Sequence, residues 1–403
     1  MTTQIVGNQH LTYKIIYSGE NATPDGRGYL VELEKKEWSG RVDLNHRPPG
    51  PEPGALARLS HAPKKKCREN CATAQVLRIP YSEAVRHAWP PRHPAMNLFR
   101  NLFLSASESA WLRERAARYK FLRRSASRFM PGESVDDALA AATGLAASGV
   151  FSILAYLGEH VTQRSEASAV AETYEQALQA MRAVGLQPQI SVKLTQLGLD
   201  LDSRFCRENL SRILDQAQPD GIVWVDMEHA PYVDQTLEIH SDVRQRYSNV
   251  GVCVQAYLFR TEKDLAALIR QGARVRLVKG AYNEPPEIAF AKKPDVDANF
   301  LHLAQQLLSL HARRAGARAS FATHDRSLIS QITEWATAQH IPNDHIEFQM
   351  LYGIQRTEQI RLANVGYRSG VLISYGSYWF PWFMRRLAER PANAFFVARN
   401  LFR

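Results

Sequence analysis

The stretch GIVWVDMEH (221–229) shows the pattern that decides the fold of this chain. Ile222, Val223, Trp224 and Val225 are apolar at consecutive positions, so both faces of a strand formed here would be covered, as in a parallel sheet. Polar residues follow at once, and then a segment with helical spacing of its apolar residues. The stretch therefore predicts one strand–helix unit whose strand ends in polar side chains.

The same unit recurs from Gly149 to the end of the chain. Seven further apolar runs have this character: VFSILAYLGE (150–159), QISVKLTQL (189–197), VGVCVQAYL (250–258), ARVRLVKGAY (273–282), ARASFATHD (317–325), HIEFQMLYG (345–353) and GVLISYGSYW (370–379). Eight strand–helix units in succession predict a closed (βα)8 barrel, an α/β fold. An open doubly wound sheet is disfavoured, because no GxGxxG motif follows the first strand and no P-loop sequence occurs.

The segments between these runs read as helices with defined ends. In VAETYEQALQAMRAVG (170–185), Gly185 stands where a helix stop belongs. One apolar stripe of this helix holds Val170, Tyr174, Ala177, Leu178 and Met181. Asp297 and Ser327 are expected to be the N-caps of later helices.

The first 95 residues differ from the rest of the chain. They hold ten of the 20 prolines, and the run from Gly40 to Lys66 has no helical or strand periodicity. We interpret 1–95 as a disordered or non-native extension, since part of it is similar to sequences that arise when a tRNA gene is translated. Residues 96–148, which include the basic stretch 111–124, are interpreted as a helical extension, and 149–403 as the catalytic barrel domain.

Composition limits the class of protein. The chain of 403 residues is 45% hydrophobic and 22% charged, with a formal net charge of +10. No secretory signal and no long apolar span is evident, which predicts a cytoplasmic location. The positive charge is scattered, which argues against nucleic acid as a partner and leaves an anionic ligand open. Cys206 and Cys253 are expected to be free buried thiols, and no zinc pattern or other metal site is predicted.

Polar residues collect at the ends of the predicted strands, where the active site of a (βα)8 barrel lies. They are Glu159, His160, Lys193, Thr195, Asp226, Glu228, His229, Gln255, Arg276, Lys279, Gly280, Ala281, Tyr282, Thr323, His324, Asp325, Gln349 and Tyr375. So many on separate strands predict a polar pocket for a polar ligand.

Three chemistries could use such a pocket. A Schiff-base aldolase would use Lys193 or Lys279 as the amine nucleophile. Metal-assisted hydrolysis would use the Asp, Glu and His residues, but no HxH or HExxH motif supports it. Flavin chemistry would need the protein chiefly for positioning and electrostatics. A barrel that binds a ligand without catalysis is the non-enzymatic alternative.

Two adjacent arginines follow the last strand. Arg385 and Arg386 lie in WFPWFMRRLAERPAN (379–393), and paired guanidinium groups suit a carboxylate clamp. A solvated helix with an i,i+4 pair between Arg385 and Glu389 is the alternative.

At this point several motifs resemble those of bacterial monofunctional proline dehydrogenases. They are, in chain order, ISVKLTQLGL, VWVDMEH, VCVQAYL, VRLVKGAY, FATHD, EFQMLYGI and YGSYWFPWFMRRLAERPAN. The resemblance covers about residue 150 to the C-terminus. It implies a (βα)8 barrel that binds FAD non-covalently and oxidises L-proline to Δ1-pyrroline-5-carboxylate by hydride transfer to flavin N5. Electrons would pass to a membrane quinone, in the first step of proline catabolism to glutamate, and a separate pyrroline-5-carboxylate dehydrogenase would act next.

The resemblance also implies roles for individual residues. Lys193, Arg385 and Arg386 would bind the proline carboxylate, which places the reacting carbon over the flavin. Asp226 and Arg276 would be the catalytic pair, with Arg276 stabilising negative charge on the reduced flavin and Asp226 orienting its neighbours. FAD contacts are implied for Met227, Gln255, Lys279, Gly280, Ala281, Thr323 and His324. Gly280 would let the backbone approach the cofactor, and Glu159 could pair with a clamp arginine.

The sequence departs from the family at the last strand. Leu372 stands where many relatives have a tyrosine that lines the proline ring, and Ser374 stands where a proline is common. Hydroxyproline or another cyclic amino acid is therefore the alternative substrate. The C-terminal stretch 391–403 pairs aromatic residues with arginines. We expect it to dock on the barrel, and an interfacial helix at the inner face of the membrane is the alternative.

We predict that translation of this protein begins at Met96, the next methionine after Met1. Intact-mass spectrometry of the protein from its native host should give the mass of residues 96–403. A native mass near 45.5 kDa would contradict the prediction.

Overall fold

The computed structural model describes residues 2–6, 12–16, 126–158 and 161–389, with backbone alone in the two N-terminal stretches and from residue 385 onward. The chain divides into two units, Met1–His87 and Ala88–Arg403. In the first unit, strands β1 (Thr2–Val6) and β2 (Thr12–Ile16) pair antiparallel. The sequence predicts neither of these two strands. The proline-rich run 40–66 and the basic stretch 111–124 lie outside the described residues.

The second unit contains the predicted barrel. Its strands are β3 (Phe151–Tyr156), β4 (Gln189–Val192), β5 (Ile222–Val225), β6 (Val250–Gln255), β7 (Arg274–Val278), β8 (Arg318–Ala322), β9 (Glu347–Leu351) and β10 (Arg368–Tyr375). Each strand pairs in parallel with the next, and β10 pairs with β3, which closes the sheet. The predicted (βα)8 barrel is therefore confirmed.

Helix α1 precedes the first barrel strand, and the other helices follow the strands around the outside of the barrel. They are α1 (Val135–Ala146), α2 (Arg164–Ala183), α3 (Ser203–Ala217), α4 (Val233–Arg244), α5 (Thr261–Arg270), α6 (Lys293–Leu308), α7 (Leu310–Arg314), α8 (Arg326–Ala338), α9 (Arg356–Asn364) and α10 (Trp379–Glu389). The predicted apolar stripe of α2 is buried throughout. Gly185 follows α2 with φ of +74°, a left-handed conformation that glycine adopts without strain.

Both predicted N-caps are wrong. Helix α6 begins at Lys293, because Pro294 suits a first helical turn, so Asp297 lies within the helix. Asp325, rather than Ser327, caps α8, and its carboxylate accepts a hydrogen bond from the backbone N–H of Ser327 at 3.2 Å.

The strands are shorter than the apolar runs that predict them. Beyond Val192 and Val225 the chain turns into single 3-10 turns, Thr195–Leu197 and Ala230–Tyr232. The polar residues predicted at strand ends therefore lie mostly in the loops just after the strands.

Two kinds of core hold the barrel together. The main apolar core lies between the strands and the surrounding helices, and a small cluster of Ile153, Ile222 and Trp224 lies apart from it. A network of buried polar side chains connects β8, β9 and β10. Glu347 accepts hydrogen bonds from Ser320 (2.5 Å) and Gln349 (2.6 Å) and pairs with Arg368 (3.0 Å). Within the part of the chain that the structure describes, no helix is long and apolar enough to cross a membrane.

His240 on α4 is a buried titratable residue with a consequence for stability. Among the described residues neither ring nitrogen has a hydrogen-bond partner. Burial, together with the nearby Arg244, lowers the pKa of His240 to about 4. An unfolded histidine protonates below about 6.5, so unfolding takes up a proton between these two values.

We therefore predict that stability falls as the pH drops from about 6.5 to about 4, by up to roughly 3 kcal/mol from this residue. His240→Leu should flatten this part of the pH dependence in urea unfolding. The exposed His311 provides the control, since His311→Leu should leave the dependence unchanged. Equal slopes for the wild type and His240→Leu would contradict the prediction.

Candidate active site

A buried ion pair lies at the centre of the predicted site. Arg276 on β7 is only 2% exposed, and its Nη1 lies 3.0 Å from Oδ1 of Asp226, which follows β5. The hydroxyl of Ser191 donates to the same carboxylate oxygen at 2.8 Å and accepts from Arg276 Nη1 at 2.7 Å. The Cys253 thiol donates to Asp226 at 3.4 Å. Four neighbouring strands, β4 to β7, thus contribute to one hydrogen-bonded group that holds the guanidinium in place.

An aromatic ring supports the same guanidinium. The Arg276 guanidinium carbon lies 4.5 Å from the ring centroid of Trp224, within the range of a cation–π contact. A Cβ on Gly251 would lie 2.6 Å from the Trp224 ring, so the absent side chain makes room for it. The position of Arg276 therefore depends on packing against Trp224 as well as on the ion pair with Asp226.

Lys193 and Glu228 form the charged part of the site near β4 and β5. Glu228 accepts hydrogen bonds from the Thr195 hydroxyl at 2.9 Å. Burial raises the pKa of Glu228, while Lys193 and the Thr195 hydrogen bonds oppose that shift. The predicted substrate lysine is thus close enough to a buried carboxylate to affect its ionisation.

Gln255 links this region to the next strand. It ends β6, is 2% exposed, and its Nε2 donates to the backbone carbonyls of Glu228 (3.2 Å) and Met227 (3.5 Å). The contact fixes the loop after β5, which carries the predicted cofactor residue Met227.

Lys279 lies in a network of four charges. Its Nζ is 2.5 Å from Asp297 and 2.9 Å from Asp325, and Lys293 pairs with the same two carboxylates. Although burial alone acts to raise it, hydrogen bonds from both lysines hold the pKa of Asp325 well below its usual range. Lys279 is therefore engaged in ion pairs rather than free to attack a carbonyl, which weakens the Schiff-base alternative at this residue.

The remaining predicted residues after β8 are held by the backbone around them. Thr323 is buried, and its hydroxyl accepts from the backbone N–H of Asp325 at 3.1 Å. The N–H of Leu351 donates to His324 Nε2 at 2.9 Å, so this ring nitrogen acts as an acceptor. The loop after β8 is thereby tied to strand β9.

The local structure gives a reason for glycine at position 280 that the sequence alone does not predict. Its φ is +111°, and a Cβ there would lie 2.3 Å from the ring of Tyr257. The glycine is thus needed for the close packing of the loops after β6 and β7. Ala281 follows it in the same loop.

Two predicted features lie beyond what the structure describes. Glu159 and His160 are outside the described residues, and Arg385 and Arg386 are described only as backbone within α10. Leu372 is half-buried on β10, in register with Ile153 of β3 and Leu351 of β9. Its neighbours on both adjoining strands are therefore apolar.

Several buried polar atoms among the described residues have no hydrogen-bond partner. They include Arg276 Nε and Nη2, Gln255 Oε1 and Gln349 Oε1. Buried polar groups are normally hydrogen-bonded, so orphaned donors and acceptors on β6, β7 and β9 suit a ligand that offers both. The flavin ring system offers both, and the residues present therefore fit FAD.

Five residues of this site are not predicted as site residues from the sequence: Ser191, Trp224, Cys253, Lys293 and Asp297. The first could have been found, because Ser191 and Lys193 are two residues apart and alternate positions of a strand share a face. The buried thiols of Cys206 and Cys253 are confirmed as free, and burial raises the pKa of both to about 12.

Within the described ranges no three His, Cys, Asp or Glu side chains are grouped so that they could hold a metal ion. A surface cavity of about 380 Å³ lies elsewhere, beside α1 and Trp379, and none of the predicted site residues lines it.

Comparisons with known proteins show the family of this chain. A model of the proline dehydrogenase family matches residues 138–399. Proline dehydrogenase 1 of Bacillus subtilis strain 168 is 38% identical over 306 residues, which cover 75% of this chain and 99% of the relative. The proline dehydrogenase of Deinococcus radiodurans is 36% identical over 310 residues, covering 75% of this chain and 98% of the relative. The chain belongs to the proline dehydrogenase family.

A solved structure shares the fold. Proline utilization A (PutA) from Bdellovibrio bacteriovorus, inactivated by N-propargylglycine, superposes with a TM-score of 0.64 at 24% identity. The match covers 73% of this chain and 37% of that one, so the chain spans about a third of the PutA protein.

We predict that Asp226→Ala destabilises the protein by about 2–3 kcal/mol, because it leaves the buried Arg276 without its carboxylate. Asp226→Asn should cost about 1 kcal/mol, since the amide oxygen can still accept a hydrogen bond. Urea unfolding without added ligand measures both. Glu208→Ala is the control, because its partner Arg204 is 88% exposed, and it should cost less than about 0.5 kcal/mol. Equal effects for Asp226→Ala and Glu208→Ala would contradict the prediction.

Proposed function

We propose that this chain oxidises L-proline to Δ1-pyrroline-5-carboxylate with bound FAD and passes the electrons to a membrane quinone. This would be the first step of proline catabolism to glutamate, and a separate pyrroline-5-carboxylate dehydrogenase would complete the route. Family membership supports the reaction, and the observation that carries the proposal is the buried Arg276. It is fixed by Asp226, Ser191 and Trp224 and keeps two nitrogens available among its described neighbours.

Oxidation of the ring CH–NH group to C=N removes two electrons and two protons from the substrate, and FAD supplies the two-electron acceptor when bound. The rigid support of Arg276 keeps a positive charge oriented without reorganisation during the reaction. Asp226 accepts hydrogen bonds from Ser191, Cys253 and Arg276, which suits a residue that orients its neighbours.

Cofactor binding would use residues at the carboxyl ends of four neighbouring strands, β5 to β8. Met227 and Gln255 would contact FAD, and so would Lys279, Gly280, Ala281, Thr323 and His324. The ion pairs of Lys279 with Asp297 and Asp325 support this role indirectly, because they fix the loop after β7 against α6 and α8.

Substrate binding would use Lys193, Arg385 and Arg386 for the carboxylate and apolar side chains for the ring. Leu372, with Leu351 and Ile153 beside it in register, favours an unsubstituted ring, because an added hydroxyl would lose its hydrogen bonds to water there. Proline is therefore preferred to hydroxyproline.

An absorption spectrum tests the proposal. The purified chain should show flavin bands that bleach when L-proline is added without oxygen and return when a soluble quinone is added. Lys193→Met should keep the flavin bands but lower kcat/KM for proline about tenfold to a hundredfold, through loss of a charge-assisted hydrogen bond.

Other outcomes are equally informative. Bleaching by trans-4-hydroxy-L-proline but not by L-proline would replace the substrate. A folded, colourless protein that gains no flavin from added FAD would contradict the proposal, and borohydride trapping of a lysine adduct would then indicate an aldolase.

A further inference from the structure

A third apolar cluster lies at the rim of the barrel, apart from the main core and from the cluster of Ile153, Ile222 and Trp224. It joins the segment just before α1 to the start of the last helix. Its buried members are Ala126, Phe129, Met130, Leu157, Trp379, Phe380, Trp382, Phe383 and Met384, with Ile354 packed against them. Five of the buried members lie at the start of α10, and the others come from the segment before α1 and from the loop after β3.

Aromatic contacts form the centre of this rim cluster. The rings of Phe129 and Phe383 lie 6.2 Å apart between centroids, and Phe383 also contacts Trp379 at 6.1 Å. Phe129 is 4% exposed and Phe383 is fully buried. The segment therefore packs directly on the first turns of α10.

The backbone of the same segment crosses the loop after β9. Gly353 has a φ of +74°, and a Cβ there would lie 1.6 Å from the carbonyl oxygen of Arg128. Any other residue at 353 would have to displace the segment. The close approach shows that residues 126–130 occupy a defined position against the loop after β9.

The rim cluster also contacts the closing strands. Leu157 follows β3, its N–H donates to the Tyr375 carbonyl at 2.7 Å, and its carbonyl accepts from the N–H of Tyr378 at 3.3 Å. The start of α10 is thus held from two sides, by the end of β3 and by the segment before α1.

Arg385 and Arg386 directly follow the buried Phe383 and Met384 in α10. We propose that residues 126–130 position helix α10 by holding its first turns against the barrel. The position of α10 in turn sets the affinity of Arg385 and Arg386 for the substrate carboxylate. The part of this inference that concerns the substrate carboxylate rests on the proposed function. The part that concerns the packing of residues 126–130 on α10 does not.

Two variants and a matched control test the proposal in the full-length chain. Phe129→Ala removes the aromatic contact, and Gly353→Ala displaces the backbone of the segment. Gly185→Ala imposes the same positive-φ strain, since Gly185 also has a φ of +74°, but nothing lies within 4 Å of its Cβ position. Phe129→Leu is the conservative variant that should restore most of the wild-type behaviour.

Hydrogen exchange reads out the packing without any need for activity. In Phe129→Ala and Gly353→Ala the amides of α10 should exchange at least about tenfold faster, while those of β4 to β8 stay unchanged and so exclude global unfolding. Affinity for cyclopentanecarboxylate, a ring that cannot be oxidised at nitrogen, should fall about five- to thirtyfold. KM for proline should rise by a similar factor with little change in kcat, because the clamp binds ground and transition states alike.

Each other outcome overturns a defined part of the proposal. Exchange in α10 within twofold of wild type in both variants, or an equal increase in Gly185→Ala, overturns the positioning role. Faster exchange with unchanged cyclopentanecarboxylate binding overturns the link to the carboxylate. A wild type that binds neither proline nor cyclopentanecarboxylate overturns that link together with the proposed function, while the exchange data still decide the packing.

Discussion

Hydrogen bonding between β10 and β3 is the constraint on which the rest of the structure depends. Six residue pairs, from Gly370 with Phe151 to Tyr375 with Tyr156, close the sheet. Because all eight barrel strands run parallel, closure brings their carboxyl ends to a single rim. Ser191 and Arg276, 85 residues apart in sequence, thereby come within 2.7 Å of each other. An open sheet of the same strands would leave β3 and β10 at opposite edges.

The polar groups enclosed by this closure are costly for stability. A guanidinium buried to 2% exposure, with two nitrogens that lack partners among the described residues, contributes less to stability than an apolar side chain of similar volume would. The same reasoning applies to the orphaned oxygens of Gln255 and Gln349. A barrel selected for stability alone would fill these positions with branched apolar residues, as in many (βα)8 interiors. The pattern is therefore better explained by a ligand that satisfies these atoms.

The sequence predicts the barrel well because each strand is covered on both faces and reads as an apolar run. It predicts the stripe of α2 and the stop at Gly185 for the same local reasons. Strand ends and helix caps are harder to predict from the sequence. Asp297 and Ser327 have side chains that could cap a helix, but Pro294 and Asp325 start the two helices at earlier residues. Contacts between elements are not encoded locally at all. The partners of Lys279 come from α6 and the cap of α8, and the ring that supports Arg276 comes from β5.

Two kinds of interaction hold the elements at this end of the barrel, and they differ in how rigidly they hold them. Asp226, Arg276 and Gln255 stand on or next to strands whose backbone is fixed by neighbours on both sides, so the group around Arg276 is rigid. In the part of the chain that the structure describes, no strand follows helix α10, and its first turns pack against Phe129 and Leu157. Such a helix can be tightened or loosened by changes in a few apolar contacts, without disturbing the hydrogen bonds of the barrel. The closed sheet thus fixes the group around Arg276, whereas the rim cluster holds the first turns of α10.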